Sequence, residues 1–353
     1  MCYNSDNMGL LSGISEFFGL DIGASAIRLV ELRGHGSVKT LVKYAYTPVD
    51  IKLTQSDAKA DQQKLAEIIR ELLKEAGLAT RNVAVGIPSN KVFTTVVDID
   101  RLAPSEMAKS IRYQADSLIP TPLAQSKIDW AIIGESPKDK AKVELLLTSV
   151  PNEYNESRLD ILESIGLNVI AFEPDNLAMT RALIAPGAVL PEMILDIGSH
   201  STDLVITMKD AARLTRSIPT GSDAIVKSAM QNLGIDQKQA EEIVFKFGVD
   251  QTKLESQVYD SIISTVDLLV GEVDKSIKFF QGRYPESKLD RIIMTGAASI
   301  LPEFPLYVAN KFGINVEIGN SWRNISFAAN KENELLSVSN YFGVAAGLAE
   351  RIE

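Results

Sequence analysis

Leu20-Asp21-Ile22-Gly23-Ala24-Ser25-Ala26-Ile27-Arg28-Leu29-Val30 returns 175 residues later as Leu195-Asp196-Ile197-Gly198-Ser199-His200-Ser201-Thr202-Asp203-Leu204-Val205, with six of eleven positions identical. Each copy reads as an apolar strand ending at an aspartate, a turn of small residues, and a second apolar strand, which is a β-hairpin pattern. Two copies at this separation predict a duplicated, two-lobed chain. The pattern also has a chemistry. Turn N–H groups can donate to phosphate oxygens, glycine lets backbone approach them, and Asp21 and Asp196 can hold a hydrated Mg²⁺. A single such turn is equally an ordinary Asp-capped hairpin. Two related turns can clamp a polyphosphate from both sides of a cleft. A third turn, Thr295-Gly296-Ala297-Ala298-Ser299, follows the apolar strand Arg291–Met294 and suits the nucleoside end. ATP is the ligand these three signals imply.

Between and after the hairpins, strands alternate with helices, the α/β signature. Leu65, Ile68, Ile69, Leu72, Leu73 and Ala76 fall at helical spacing over Asp61–Ala76, and Gly77 follows as a stop. The next block, 88–173, reads as a compact α/β unit of its own. It holds strands at Val92–Ile99, Lys127–Ile133, Val143–Val150 and Asn168–Phe172, with helices at Pro104–Leu118 and Pro151–Ile165. In the second half, helices are expected at Asp223–Leu233, Gln237–Phe247 and Lys253–Phe280, and another after the turn Thr295–Ser299, running through Phe312. The long helix carries apolar residues every three or four positions. It can pack on its own lobe or join a coiled coil, and its irregular charges favour the first. Tyr341–Ala349 is a small, apolar closing helix.

The 353 residues exceed what one hydrophobic core usually supports. Lys and Arg total 36 against 46 Asp and Glu, a formal charge of −10, with no Lys/Arg run that could make a basic stripe. Nucleic-acid binding and electrostatic attachment to anionic lipid are therefore disfavoured. One cysteine, Cys2, excludes internal disulfides and cysteine-clustered zinc; two histidines, His35 and His200, exclude His-rich metal sites. No GxxxxGK[ST], no GxGxxG after a strand and no GxSxG elbow is present. No stretch reaches eighteen apolar residues, and Met1–Gly19 lacks the basic start and cleavage site of a secretion signal. Met8 can be the true start. The expected location is cytoplasmic.

The order of these motifs resembles the actin-like ATPase superfamily. Gly19–Leu32 is similar to its first phosphate hairpin, Ile194–Ile206 to the second and Ile292–Pro302 to its adenosine motif. Phe172-Glu173-Pro174 is similar to the Glu-Pro that starts its first connecting helix. More narrowly the chain resembles the PilM family of type IV pilus assembly, relatives of the division protein FtsA. The passages that carry this are Tyr113-Gln114-Ala115-Asp116-Ser117-Leu118-Ile119-Pro120, Ile128-Asp129-Trp130, Ile170–Ala178, Thr215–Gly221 and Ala240-Glu241-Glu242. FtsA usually adds an amphipathic tail, and this chain ends too soon for one.

The resemblance implies two lobes of duplicated ribonuclease-H-like subdomains with an FtsA-type 1C (SHS2) insert. Subdomain 1A takes 9–87, completed by 174–193 and 335–353; the insert is 88–173; the second lobe is 194–334, with 2B at about 222–289. It implies ATP or ADP with Mg²⁺, bound by Asp21, Gly23, Ala24, Ser25, Asp196, Gly198, Ser199, Thr202, Gly221, Glu241, Gly296 and Ala297. Asp21 and Asp196 hold the metal through water. Glu173 is the candidate for positioning an attacking water; a carboxylate before a helix-starting proline reads the same way. The implied partner is the cytoplasmic N-terminal peptide of the inner-membrane protein PilN, seated on the insert. Through it come the PilN/PilO complex and the pilus motor ATPase, placing the chain at the inner face of the cytoplasmic membrane. Departures are Gly221-Ser222 and Gly296-Ala297 where double glycines are common, and Val244 where a lysine usually stands. They imply weakened nucleotide binding and slow hydrolysis at most. A sugar or metabolite kinase and an FtsA-like filament ATPase are the alternatives.

Overall fold

A computed structural model describes residues 16–34 and 38–352; the readings on Met8, Cys2 and His35 fall outside them. The chain divides into two compact units. The first contains the strands β1 (Phe18–Ile22), β2 (Ala26–Arg33) and β3 (Lys39–Pro48), the helices α1 (Ile51–Gln55) and α2 (Lys59–Ala76), and β4 (Asn82–Ile87). It continues with β5 (Phe93–Asp100), α3 (Pro104–Leu118), β6 (Ser126–Glu135), β7 (Lys142–Pro151), α4 (Asn152–Ser164), β8 (Asn168–Pro174) and the start of α5 (Asp175–Leu183).

Strands run in the order β3-β2-β1-β4-β8, the first three antiparallel and β4 and β8 parallel to β1. Leu65, Ile69, Leu72 and Leu73 of α2 pack on Leu20, Leu29, Val83 and Val85. That stripe is the one the helical spacing defines, and Gly77, left-handed at φ 62°, ends the helix.

The block 88–173 does not hold together as one unit. Only β5, β7 and β6, in that order, form a separate sheet. It is closed by α3 over a core of Ile99, Met107, Ile111, Ala115, Val143, Leu145 and Leu147. The strand at 168–174 instead pairs with β4, and Ile161 and Leu162 of α4 join the α2 core. A strand flanked by apolar residues carries no local mark of which sheet it will enter. Glu173 and Pro174 end β8, and α5 begins at Asp175, so the proline does not open the helix.

The second unit contains β9 (Glu192–Ile197), β10 (Thr202–Met208), most of β11 (Ala211–Ile218), α6 (Ser222–Leu233), α7 (Gln237–Phe247) and α8 (Gln257–Arg283). After these come β12 (Arg291–Thr295), α9 (Phe304–Phe312), β13 (Asn315–Ile318) and α10 (Glu332–Val338). Its sheet runs β11-β10-β9-β12-β13, the same order as the five strands β3-β2-β1-β4-β8 of the first unit. The apolar face of α8 is buried in this unit's core through Ile262, Val266, Leu269, Val270, Val273 and Phe280. It packs on its own unit, as its charges predicted.

Two helix boundaries differ from expectation. Leu254, Glu255 and Ser256 all have positive φ, so α8 starts at Gln257 rather than Lys253. After Gly296 a short 3₁₀ turn, Ala297–Ile300, precedes α9; Pro302 and the left-handed Glu303 separate them. The closing helix α11 (Gly343–Ala349) lies against the first sheet and α5. Gly19 and Gly347 make that approach possible. A Cβ at Gly19 would stand 2.8 Å from Ala349 N, and one at Gly347 would overlap the Ala178 carbonyl.

Candidate functional site

The two hairpins share their geometry as well as their sequence. Gly23 N donates to Ala26 O at 3.1 Å, and Gly198 N to Ser201 O at 3.0 Å. The ladders close on equivalent pairs, Ile22 opposite Ile27 and Ile197 opposite Thr202. One step further, the partners differ. Asp21 stands opposite Arg28, and Asp196 opposite Asp203.

Arg28 Nη1 donates to Asp21 Oδ2 at 3.2 Å. Burial pushes the Asp21 carboxyl above the usual aspartate range, and the Arg28 charge and hydrogen bond oppose that shift. In the second hairpin two aspartates stand directly opposite each other across the ladder, a pairing that sets Cβ atoms about 5 Å apart. The sequence reading missed both Arg28 and Asp203. Their signal was the hairpin itself, since a turn of known length sets which residues face each other.

Several predicted residues of the second unit come together around its turn. A Cβ at Gly221 would meet Ser199 O at 2.5 Å and Gly198 O at 2.6 Å. The N-terminus of α6 sits on the same carbonyls, Ser222 N on Gly198 O and Asp223 N on Ser199 O, both 2.9 Å. Thr202 Oγ1 donates to Thr220 O at 2.7 Å, so that hydroxyl proton is used within the fold. Gly296, at φ 83°, presents its backbone to Asp196; a Cβ there would lie 2.5 Å from Asp196 Oδ1. Asn340 ties this turn down, accepting from Gly296 N at 2.8 Å and donating to Ser299 Oγ at 3.0 Å. Glu241 is exposed on α7 and acts on Asp223 electrostatically. Burial raises the Asp223 carboxyl, His200 draws it down and Glu241 adds to the rise.

The departures from the double-glycine pattern sit where a side chain is tolerated. Ser222 and Ala297 have negative φ, and the glycine-demanding positions are Gly221 and Gly296. Val244 is wholly buried in the second core. A lysine there would bury its ammonium, so this chain does not present position 244 to a ligand.

In the first unit, Ala24 is half-buried in the turn and Ser25 is exposed, its carbonyl accepting from Val49 N at 3.0 Å. The register pairs Gly86 of β4 with Glu173 of β8, and Leu20, the neighbour of Asp21 on β1, with Val85 of β4. Two strand spacings separate β1 from β8, about 10 Å. The carboxylate of Asp175 lies over Gly86. Glu173 is buried, 3% exposed, and Arg351 Nη1 donates to its Oε2 at 3.1 Å.

Carboxylate oxygens and backbone turns are the donor set hard cations and phosphates prefer, so the residues present fit Mg²⁺ and a polyphosphate. Among the described residues, no group of three or more His, Cys, Asp or Glu could hold a metal alone. Mg²⁺ usually keeps several waters and phosphate oxygens rather than a protein cage.

A family model described as type IV pilus assembly protein PilM matches residues 19–353. A solved PilM-PilN type IV pilus biogenesis complex is similar over 95% of this chain and 97% of that one, at 25% identity and a TM-score of 0.81. Ethanolamine utilization protein EutJ from Carboxydothermus hydrogenoformans aligns over 94% of this chain and 88% of its own, at 14% identity and a TM-score of 0.56. MreB5 of Spiroplasma citri, bound to AMPPNP, aligns over 95% of each chain, at 11% identity and a TM-score of 0.55. These last two speak to the fold alone. Together with the repeated strand order they make it the α/β fold of the actin-like ATPases.

Proposed function

The chain belongs to the family of type IV pilus assembly proteins PilM, and from that premise we propose that it binds Mg²⁺-ATP and holds the N-terminal peptide of PilN. The observation that carries the nucleotide reading is the duplicated turn, with one hydrogen-bond pattern and one register in both copies. In this reading Gly23, Ala24, Ser25, Gly198 and Ser199 offer backbone and hydroxyl donors to phosphate. Gly221, Gly296 and Ala297 let backbone approach the ligand, and Glu241 faces the ribose or base. Thr202 supports the second turn. A bound Mg²⁺ would neutralise phosphate charge. Asp196 and the facing Asp203 orient its waters, and Asp21 does so less because Arg28 already engages it. ADP suits the same groups.

Asp196→Ala is expected to remove the Mg²⁺-dependent part of ATP binding in calorimetry while the thermal transition stays in place. Equal affinity with and without Mg²⁺ in the parent protein would overturn the assignment. Glu173 would orient water for any hydrolysis, which should stay below about one turnover per second, the low end of enzyme rates.

The partner reading rests on the match to a PilM-PilN complex and on the small sheet β5-β7-β6. Its outer strands β5 and β6 offer main-chain groups to an extended peptide, and Ile132 on β6 is 48% exposed. No helix among the described residues is long and apolar enough to cross a membrane. The peptide would tether the chain to the inner face of the cytoplasmic membrane, within reach of PilO and the motor ATPase. The FtsA-like alternative is not favoured by these comparisons.

A further inference from the structure

Glu173 is not left to solvent. Its carboxylate is held by Arg351 at 3.1 Å, with the Arg351 side chain only 18% exposed. The guanidinium is delivered by a segment fixed at several points. α11 is seated on β1 at Gly19 and against α5 at Gly347. Just beyond it, Lys39 Nζ donates to Ala349 O at 3.0 Å and to Arg351 O at 2.8 Å. A backbone anchored on both sides of Glu350 aims one side chain at one buried carboxylate, 178 positions away in sequence.

We infer that Arg351 is a positioning residue that holds Glu173 away from water-orienting work, so that bound nucleotide persists unhydrolysed. The inference rests on the reading of Glu173 as the water-positioning group. In hydrolysis a water oxygen bonds to the terminal phosphorus as the bond to the bridging oxygen breaks. The nucleoside diphosphate leaves, and the water's proton passes to a carboxylate or to solvent. A carboxylate orients that water by accepting from it in a fixed direction. A guanidinium donor, planar and permanently charged, claims an acceptor oxygen and fixes the carboxyl plane. The same contact serves structure and restraint, because the ion pair closes α11 onto β8.

The test uses the full chain, single-turnover ATP hydrolysis with Mg²⁺, and ATP affinity by calorimetry. Arg351→Gln should raise the hydrolysis rate about tenfold or more, since positioned acid–base groups contribute 10²–10⁴-fold, with affinity changed less than about twofold. Arg351→Lys, which keeps a cation in reach, should stay slow. Adding Glu173→Gln to Arg351→Gln should return the rate to the slow value. Lys39→Gln loosens the anchor without touching the ion pair, so it should raise the rate by a smaller factor, and it serves where Arg351→Gln fails to fold. An unchanged or slower rate in both Arg351→Gln and Lys39→Gln would overturn the inference. Acceleration that survives Glu173→Gln would overturn the reading of Glu173 instead. A parent protein that binds no ATP would overturn the proposed function and this inference with it.

Discussion

Asp21 and Asp196 occupy the same place in two hairpins, yet one faces Arg28 and the other faces Asp203. Asp21 is also the more deeply buried, and burial raises its carboxyl above the ordinary value. An acid whose folded value is raised favours folding fully below its unfolded value, and that contribution is lost as pH rises through the folded value. Ionising Asp21 within the fold therefore costs stability, part of which Arg28 offsets. Asp21→Asn keeps a hydrogen-bond acceptor for Arg28 and removes the buried charge. Its melting temperature is expected to exceed the parent's by about 2–4 °C at pH 7, the shift that roughly 1 kcal/mol produces in domains of this size. The two should converge below about pH 4, where the parent's carboxyl is protonated. Thermal melts across that range check it, and a parent more stable at pH 7 would contradict it. A carboxyl buried against its own folding interest fits a site rather than a core.

At the level of elements, glycine spacing decides how closely helices may lie. In α11, a Cβ at Gly347 would overlap the Ala178 carbonyl of α5, while a Cβ at Gly271 in α8 would meet nothing within 4 Å. The same substitution should thus have opposite signs. Gly347→Ala is expected to cost about 1–3 kcal/mol through overpacking. Gly271→Ala should stabilise by about 0.5–1 kcal/mol, because it removes the helix penalty of glycine without a clash. Urea midpoints of the two variants separate the cases. Destabilisation by Gly271→Ala would mean that this face of α8 is covered in solution. Leu268 and Phe279 on α8 are 73% and 70% exposed, so the substitution also reports on that surface.

For the whole molecule, the informative boundary lies within the first unit. The sheet β5-β7-β6 has its own core with α3, whereas α4 and β8 complete the main sheet. The ends of the small domain lie close together, with Lys91 Nζ 5.9 Å from the Tyr154 ring centroid. Replacing 93–151 by a short Gly-Ser linker should leave a cooperatively folding protein that binds Mg²⁺-ATP and no longer binds the PilN peptide. Removing 88–173 instead should abolish folding, because Ile161, Leu162 and β8 go with it. Circular dichroism melts and peptide titration by calorimetry distinguish the two deletions. Peptide binding retained by the first would move the partner site elsewhere.

Local pattern alone determined much of this protein. The paired Asp-Ile-Gly turns foretold duplicated hairpins. The three-and-four spacing of Leu65 to Ala76 and of Val258 to Phe280 marked the faces those helices bury, since helical periodicity is written into neighbouring residues. Gln237–Phe247 appears at the bounds its pattern predicted. What only the tertiary structure decided are pairings between distant positions: β8 with β4, Arg351 with Glu173, Asp175 over Gly86, Gly347 against Ala178. Val244 belongs here too, because a helix shows which of its faces is apolar but not what that face will meet. Such contacts depend on register and chain path across more than eighty residues, and no local spacing of residue types records them.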